Sequence, residues 1–297
     1  MKSQQPIKIA IHGNISSQDF LPHLQEILHI LRKKDVEILL SEKLVKQLTK
    51  CKFDTSHTSI YRNNADLRNA RALLSVGGDG TILESVTHVG AAEVPILGIN
   101  TGRLGFLATT PKDKLKNALT NILEGNYEVE SRMLVQVDTE AQVFKDLNFG
   151  LNEFAILKQD TSSMVTVHAY LDGELINSYW ADGLIIATPT GSTGYSLSCG
   201  GPIVSPYADN FIITPVSPHN LSIRPLVVPA TSSIRLEVEA RTNFYLVSLD
   251  SRSCIVPSNY SFTLKKSAFK VQLIKFSGHT FVETLRMKLN WGYDIRN

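Results

Sequence analysis

Three glycines, a carboxylate and a hydroxyl stand together at Gly77-Gly78-Asp79-Gly80-Thr81, directly after the apolar run Ala72-Leu73-Leu74-Ser75-Val76. Glycine admits positive φ and lets a ligand touch the main chain. The next residues, Thr81-Ile82-Leu83-Glu84-Ser85-Val86, read as the first turns of a helix. Strand, glycine turn and helix N-terminus together present backbone N–H groups to phosphate. A carboxylate would repel that phosphate, so Asp79 makes sense as a group that orients a hydroxyl or takes its proton. The chemistry this suggests is phosphoryl transfer to an alcohol. Asp-Gly and Gly-Gly are also common turn formers, and the motif alone leaves a plain tight turn open.

A second constellation begins at Asp182-Gly183 and the buried-strand run Leu184-Ile185-Ile186-Ala187. It continues as Thr188-Pro189-Thr190-Gly191-Ser192-Thr193-Gly194-Tyr195-Ser196-Leu197-Ser198-Cys199-Gly200-Gly201-Pro202. Each hydroxyl can donate and accept, which suits a polyhydroxylated, phosphorylated ligand. Tyr195 is an aromatic fit to stack on a planar base. The competing description is a Ser/Thr/Gly-rich surface loop, but such loops rarely follow a buried strand and hold a lone aromatic so close. A third feature, Asn152-Glu153 before Phe154-Ala155-Ile156-Leu157, is on its own an ordinary polar pair at a strand edge. The chain has no G-x-x-x-x-G-K-[ST], no dinucleotide G-x-G-x-x-G at Gly78 and no G-x-S-x-G around Ser192.

The elements that must position these residues fall into two parts. Ile7, Ile9 and Ile11 alternate up to Gly13, and Leu21, Leu24, Ile27, Leu28 and Leu31 follow at helical spacing with Asp19 as N-cap. A second strand at residues 36–40, a helix at 42–48, a third strand at 72–76, a fourth at 95–99 and a helix at 112–123 complete an alternation that implies a parallel sheet. Ligands of such sheets sit beyond the carboxyl ends of the strands, where Asp79 and Asn100-Thr101-Gly102-Arg103-Leu104-Gly105 both fall. Beyond Gly125 strand runs dominate, at 132–137, 163–170, 174–178, 184–188, 233–239, 244–249, 261–264 and 270–276, with Asp172-Gly173 as a hairpin turn. The expected organisation is an α/β domain at 1–125 with a parallel sheet, a β-rich domain at 126–277, and a C-terminal helix and tail at 278–297.

The chain of 297 residues has a formal net charge of +2, with Lys and Arg scattered, so no basic stripe argues for nucleic acid. Its three cysteines, Cys51, Cys199 and Cys254, form no C-x-x-C and no even framework, which points to a reducing cytoplasm. No apolar run approaches membrane-spanning length. The eight histidines show no ligand spacing, and no residue is assigned to a metal; His168 reads as a surface strand residue.

Gly77-Gly78-Asp79-Gly80-Thr81, Gly98-Ile99-Asn100-Thr101-Gly102-Arg103-Leu104-Gly105-Phe106-Leu107, Asn152-Glu153, Asp182-Gly183 and Thr188-Pro189-Thr190-Gly191-Ser192-Thr193-Gly194-Tyr195 together resemble the NAD kinases, in order and spacing, over nearly the whole chain. The glycine-aspartate motif is shared with diacylglycerol and sphingosine kinases and with phosphofructokinases; the Thr-Pro-Thr-Gly-Ser-Thr-Gly-Tyr block is far more specific. The resemblance implies the NAD kinase/diacylglycerol kinase-like fold, with the C-terminal helix returning to the first domain. It implies ATP and NAD as substrates, a divalent metal (Mg²⁺), transfer of the γ-phosphoryl to the adenosine 2′-hydroxyl of NAD, and a homo-oligomer, dimer or tetramer. By carry-over Asp79 is the proton acceptor and Gly80 lies on the substrate. Asn152 and Glu153 hold the adenosine part, and Asp182 the nicotinamide-side ribose or amide. Thr193, Gly194, Tyr195, Ser196, Leu197 and Ser198 line the adenine pocket, and Ser217 stands where the family has a small residue near NAD. Trp180 replaces a frequent arginine, Gly194 a frequent alanine, and Asp250-Ser251-Arg252 resembles a family turn. The alternatives are a lipid or nucleoside kinase sharing the glycine motif, and a catalytically silent NAD(P)-binding sensor, whose signature would be loss of Asp79.

Overall fold

The computed structural model describes residues 6–15, 19–102, 104–140, 143–159, 163–241, 244–276 and 280–291. The chain divides into two compact units, residues 1–131 with 271–297, and residues 132–270.

In the first unit the alternating runs become β1 (Ile7–Gly13), α1 (Phe20–Arg32), β2 (Val36–Ser41), α2 (Glu42–Lys50), β3 (Ser59–Tyr61), β4 (Ala70–Gly77), α3 (Asp79–Val89), β5 (Ile96–Asn100), α4 (Leu115–Glu124) and β6 (Glu128–Arg132). The sheet order is β3-β2-β1-β4-β5, then the strand Val271–Lys275, then β6. The pairs from β3 through β5 are parallel, and Val271–Lys275 joins β5 in parallel as well. The order reverses direction between β1 and β4, which is where ligands bind in doubly wound sheets. The apolar stripe of α1, Leu24, Ile27, Leu28 and Leu31, packs with Leu115, Leu119 and Ile122 of α4 against the strands. Ser41 caps α2, its hydroxyl accepting the Leu44 N–H at 3.2 Å.

Two expectations change here. Asp19 occupies the N-cap position of α1 but makes no side-chain cap; its carbonyl instead accepts from the His23 backbone and ring. The strand expected at 270–276 in the β-rich half belongs to the parallel sheet of the first unit. Its burial pattern, with Val271, Leu273 and Ile274 inside, suits a strand covered on both faces as readily as a sandwich strand, so the run alone did not say which sheet it joins. Of the C-terminal segment 278–297, residues 280–291 are described, and the helix Phe281–Leu289 starts with a capping box of Thr280 and Glu283. It buries Leu285 and Thr284, while Val282 is 54% exposed and Phe281 and Leu289 are half-buried. Its buried face is therefore narrow.

The second unit is built from two six-stranded antiparallel sheets. One runs in the order Glu174–Ala181, Val165–Leu171, Ile234–Ala240, Phe262–Lys266, Val135–Asp138, Phe149–Gly150. The other runs Leu226–Pro229, Asn210–Val216, Gly183–Ala187, Glu153–Lys158, Phe244–Leu249, Arg252–Pro257. Val167, Leu236 and Phe262 from the first and Phe154, Ile186, Ile213 and Val247 from the second fill one shared core. The second sheet also buries its other face: Ala155, Ile185, Ala187 and Ile212 pack against Cys199 and Val204. That double burial is why Leu184-Ile185-Ile186-Ala187 reads as an unbroken apolar run. Asp172 and Gly173 form the expected hairpin turn, both at positive φ.

Because the C-terminal helix buries so little, Leu285→Ala should cost about 1.5–3 kcal/mol at most. Leu119→Ala, in the packed core of α4, should cost about 2–5 kcal/mol. Urea unfolding of the two variants measures the difference; equal losses would mean that the helix is anchored as firmly as α4.

Candidate active site

In the first unit the site grows from the end of β4. Gly77 has φ +154°, and a Cβ there would lie 2.2 Å from Thr81 Oγ1, so only glycine allows this turn into α3. Gly78 and Gly80 are exposed, with nothing within 4 Å of where a Cβ would be. The main chain at the start of α3 is thus open to a ligand on that side. Asp79 is the first residue of α3.

The Asp79 carboxylate accepts three consecutive backbone N–H groups. Phe106 donates to Oδ2 at 2.8 Å, while Leu107 and Ala108 donate to Oδ1 at 3.0 and 2.9 Å. A carboxylate offers about four acceptor positions, so one lone pair of Oδ2 stays open to a hydroxyl. Gly105 makes this clasp possible, since a Cβ there would sit 1.9 Å from Asp79 Oδ1. Asn100 pairs with Gly77 across the sheet, and its side chain accepts the Gly102 N–H at 2.6 Å and donates to the Ala108 carbonyl at 3.2 Å. The two sequence motifs of this unit therefore meet at the strand ends. Arg103 lies outside the described residues. A cavity beside the end of β5 is lined by Asp19, His23, Asn100, Thr101, Gly102 and Lys112. His23, which the sequence reading passed over, is buried there, and its Nε2 finds no hydrogen-bond partner among the described residues.

In the second unit a second carboxylate repeats the device. Asp250 accepts the N–H groups of Leu151, Asn152 and Glu153 at 2.8, 2.8 and 3.1 Å. Burial raises its carboxyl, while those bonds and the nearby Arg252 pull it back. Arg252 donates to the Leu147 and Phe149 carbonyls, so its fork is spent on the loop that leads into this segment. Sequence reasoning saw only a turn at Asp250; its hold on a stretch almost a hundred residues earlier has no local signature.

The segment that Asp250 holds carries two unsatisfied groups. Asn152 Oδ1 and Glu153 Oε2 are buried without hydrogen-bond partners among the described residues. Burial and the Asp250 charge push the Glu153 carboxyl up to about 8, against the Tyr195 N–H bonded to it. Glu153 is then a neutral acid near pH 7, able to donate as well as accept.

The hydroxyl-rich block folds onto the same segment. Thr188 N–H donates to the Asn152 carbonyl at 2.8 Å and the Thr188 hydroxyl to the Leu151 carbonyl at 2.5 Å. A Cβ on Gly191 would lie 2.1 Å from the Asn152 carbonyl oxygen. Ser192 and Ser196 are fully buried and internally bonded, Ser192 with Pro189 and Val204, Ser196 with Thr214 at 2.8 Å. Thr193, Gly194 and Leu197 are half-buried, while Tyr195 and Ser198 are exposed. Tyr195 opens a single helical turn, Tyr195–Ser198, and is 37% exposed.

Asp182 is paired with Lys158 at 2.6 Å, a partner that sequence reasoning did not assign. Its N–H donates to the Val216 carbonyl, which brings Ser217 next to it. Ser217 is exposed and has φ +45°, unusual for a residue with a side chain. Trp180 stacks on His219, ring centroids 4.3 Å apart.

Residues 9–127 match the ATP-NAD kinase N-terminal domain model and residues 151–276 the ATP-NAD kinase C-terminal domain model. The chain belongs to the NAD kinase family. It is 50% identical to the NAD kinase of Cytophaga hutchinsonii over 289 residues, 97% of this chain and 99% of that one. It is 38% identical to the NAD kinase of Bacteroides fragilis over 292 residues, 98% of this chain and all of that one. Among solved structures it resembles an NAD kinase from Archaeoglobus fulgidus in complex with ATP, with a TM-score of 0.73, 27% identity, and coverage of 96% and 99%. It shares its fold with a yeast NADH kinase complexed with NADH, with a TM-score of 0.85, 20% identity, and coverage of 99% and 90%.

The Mg²⁺ that the family implies is a hard ion that takes oxygen ligands and keeps much of its water. The start of α3 carries one carboxylate, Asp79, three of whose acceptor positions are taken by the loop, which fits an ion carried chiefly by phosphate oxygens and water.

The raised Glu153 carboxyl carries a pH signature. The folded chain keeps that proton up to about pH 8, and the unfolded chain releases it near 4.5. The native state binds more protons across this window, so stability is full below about 4.5 and falls as pH rises towards 8. Asp250 contributes with the same sign. Thermal melts between these limits should show a smaller decline for Glu153→Gln than for the parent; parallel declines would remove the buried proton from Glu153.

Proposed function

We propose that the protein transfers the γ-phosphoryl group of ATP to the 2′-hydroxyl of the adenosine ribose of NAD, giving NADP and ADP. The observation that carries this reading is Asp79, a carboxylate locked by three backbone N–H groups at an open helix start, with one lone pair left for a hydroxyl. Phosphoryl transfer depends on positioning and electrostatics. Asp79 aligns the attacking hydroxyl and accepts its proton as the bond to phosphorus forms. The N–H groups of the glycine turn receive donor phosphate, and Gly80 leaves room for the substrate to lie against the main chain.

In the second unit, Asn152 and Glu153 take the hydroxyl and base edges of the adenosine part. Their unpartnered buried oxygens support this assignment, because a buried acceptor without a partner is costly unless a ligand completes it. Tyr195 stacks on the adenine, with Thr193, Gly194, Leu197 and Ser198 around it. Ser196 shapes the pocket through its bond to Thr214. Asp182, oriented by Lys158, and Ser217 face the nicotinamide side. Mg²⁺ would be held chiefly by the ATP phosphates and water and would neutralise charge on the transferring group. The protein acts in the cytoplasm as a homo-oligomer, a dimer or tetramer. A silent sensor would not need the Asp79 clasp.

Asp79→Asn should lower turnover about 10²–10⁴-fold in a coupled assay of NADP formation with ATP and Mg²⁺, while NAD still binds in calorimetry. Asparagine also presents a donor to the loop N–H groups, so the melting temperature is measured beside the kinetics. A variant within a few-fold of the parent turnover removes Asp79 as the proton acceptor.

Stacking on a base is worth roughly 1–3 kcal/mol in nucleic-acid sites. Tyr195→Ala should therefore raise KM for NAD about 5–150-fold with little change for ATP. Equal changes for both substrates, or none, would reduce Tyr195 to a structural role.

A further inference from the structure

Glu84 and His88 stand one turn apart on α3 and share a face of that helix. His12, fully buried, reaches the same place from β1. One ligand atom from each of the three lies within 4.8 Å of the others. Glu84 and His88 are half-buried, so the cluster keeps an open side.

The orientation of His12 follows from its neighbours. Its Nδ1 lies 2.8 Å from the Ser41 hydroxyl, which also accepts the Leu44 N–H. That oxygen has two lone pairs and can accept from both, and in the tautomer with the proton on Nδ1 the His12 Nε2 is free to act as a ligand. Nε2 is buried and lies 3.3 Å from Glu84 Oε2, and contact with His12 and Lys43 holds the Glu84 carboxyl below its usual range, so Glu84 is a carboxylate. In that tautomer two acceptors face each other at the spacing of two ligands on one ion. The other Glu84 oxygen, Oε1, is occupied by Lys43 at 2.5 Å, which turns Oε2 towards the histidines. The His12 and His88 rings are 4.3 Å apart, and Tyr61 packs edge-on against His88.

We propose that His12, Glu84 and His88 bind one divalent transition-metal ion of the zinc class, with water in the fourth position. The 3.3 Å between Nε2 and Oε2 is the edge of a tetrahedron whose metal bonds are about 2.0–2.1 Å long. Two imidazoles and one carboxylate are a borderline donor set that suits zinc and disfavours Mg²⁺. Ser41, bonded to the far nitrogen of His12, fixes the ring as outer-shell partners of metal-bound histidine do. The ion would bridge β1 and α3, and so brace the helix whose first residue is Asp79. It is separate from the Mg²⁺ of the reaction.

The test is titration of chelator-treated full-length protein with Zn²⁺, read by calorimetry and thermal melting, with Co²⁺ as a spectroscopic probe. One Zn²⁺ per chain, a raised melting temperature and a tetrahedral Co²⁺ spectrum without a thiolate band are expected. His88→Gln and Glu84→Gln, both on the half-buried side, should abolish this binding even if changes at buried His12 prevent folding. Ser41→Ala should weaken it about 10–100-fold. Cys51→Ser, at an exposed thiol, should leave it intact. Absence of saturable binding, unchanged affinity in the His88 and Glu84 variants, or binding lost with Cys51 would each overturn the proposal.

Discussion

A carboxylate that accepts three consecutive backbone N–H groups is the constraint on which both halves of this protein depend. Asp79 holds residues 106–108 and Asp250 holds residues 151–153. Each N–H would otherwise need water or another acceptor. Bonds to a charged acceptor are among the stronger ones available. In each case one side chain fixes a loop that local secondary structure cannot fix. The glycines follow from this. Gly105 must lack a Cβ because the Asp79 carboxylate occupies that space, and a Cβ on Gly150 would lie 3.0 Å from Asp250 Oδ1.

The same device leaves different chemistry in the two units. Asp79 sits at an open helix start and keeps one acceptor position that the loop does not take. Asp250 is sealed, and its charge acts on Glu153, whose carboxyl rises to about 8 through burial and that repulsion. One clasp therefore presents a carboxylate, and the other helps keep a neighbour protonated.

Much of this was legible in the sequence. The strand-turn-helix around Asp79 and the parallel alternation before Gly125 follow from glycine placement and apolar period. The run Leu184-Ile185-Ile186-Ala187 announced a strand covered on both faces. Contacts made across long stretches of chain were not legible. Asp250 looked like a turn because its partners lie almost a hundred residues earlier. The strand Val271–Lys275 crosses back to the first sheet, and no local pattern names the sheet a strand will join. Asn210–Val216 and Leu226–Pro229 escaped notice, since Pro215 and Pro229 are poor signals for strand interiors. The hydroxyl block was read as ligand-facing throughout, yet Ser192 and Ser196 point inward and hold the block together. Composition gives the density of hydroxyls and not their direction. The pair Glu84 and His88 had the one available signal, an i,i+4 spacing on a helix, but its third member comes from β1.

Gly194 shows how a small departure from the family pattern acquires physical meaning only in context. The resemblance sets an alanine against this position, and from sequence the exchange looks conservative. In this chain a Cβ at that position would lie 3.1 Å from Glu153 Oε2 and 3.4 Å from Asn152 Nδ2. Those belong to the two side chains whose other polar atoms, or the same one, lack partners. A methyl there would press on the Glu153 oxygen that has no partner and narrow the space beside it. Glycine keeps that space free, so the room around the unsatisfied pair is set by the hydroxyl block as much as by Asp250. This corner of the unit is thus a balance of two supports, with Asp250 drawing the backbone of 151–153 in from one side and the absence of a side chain at Gly194 leaving room beside the buried Glu153 carboxyl on the other.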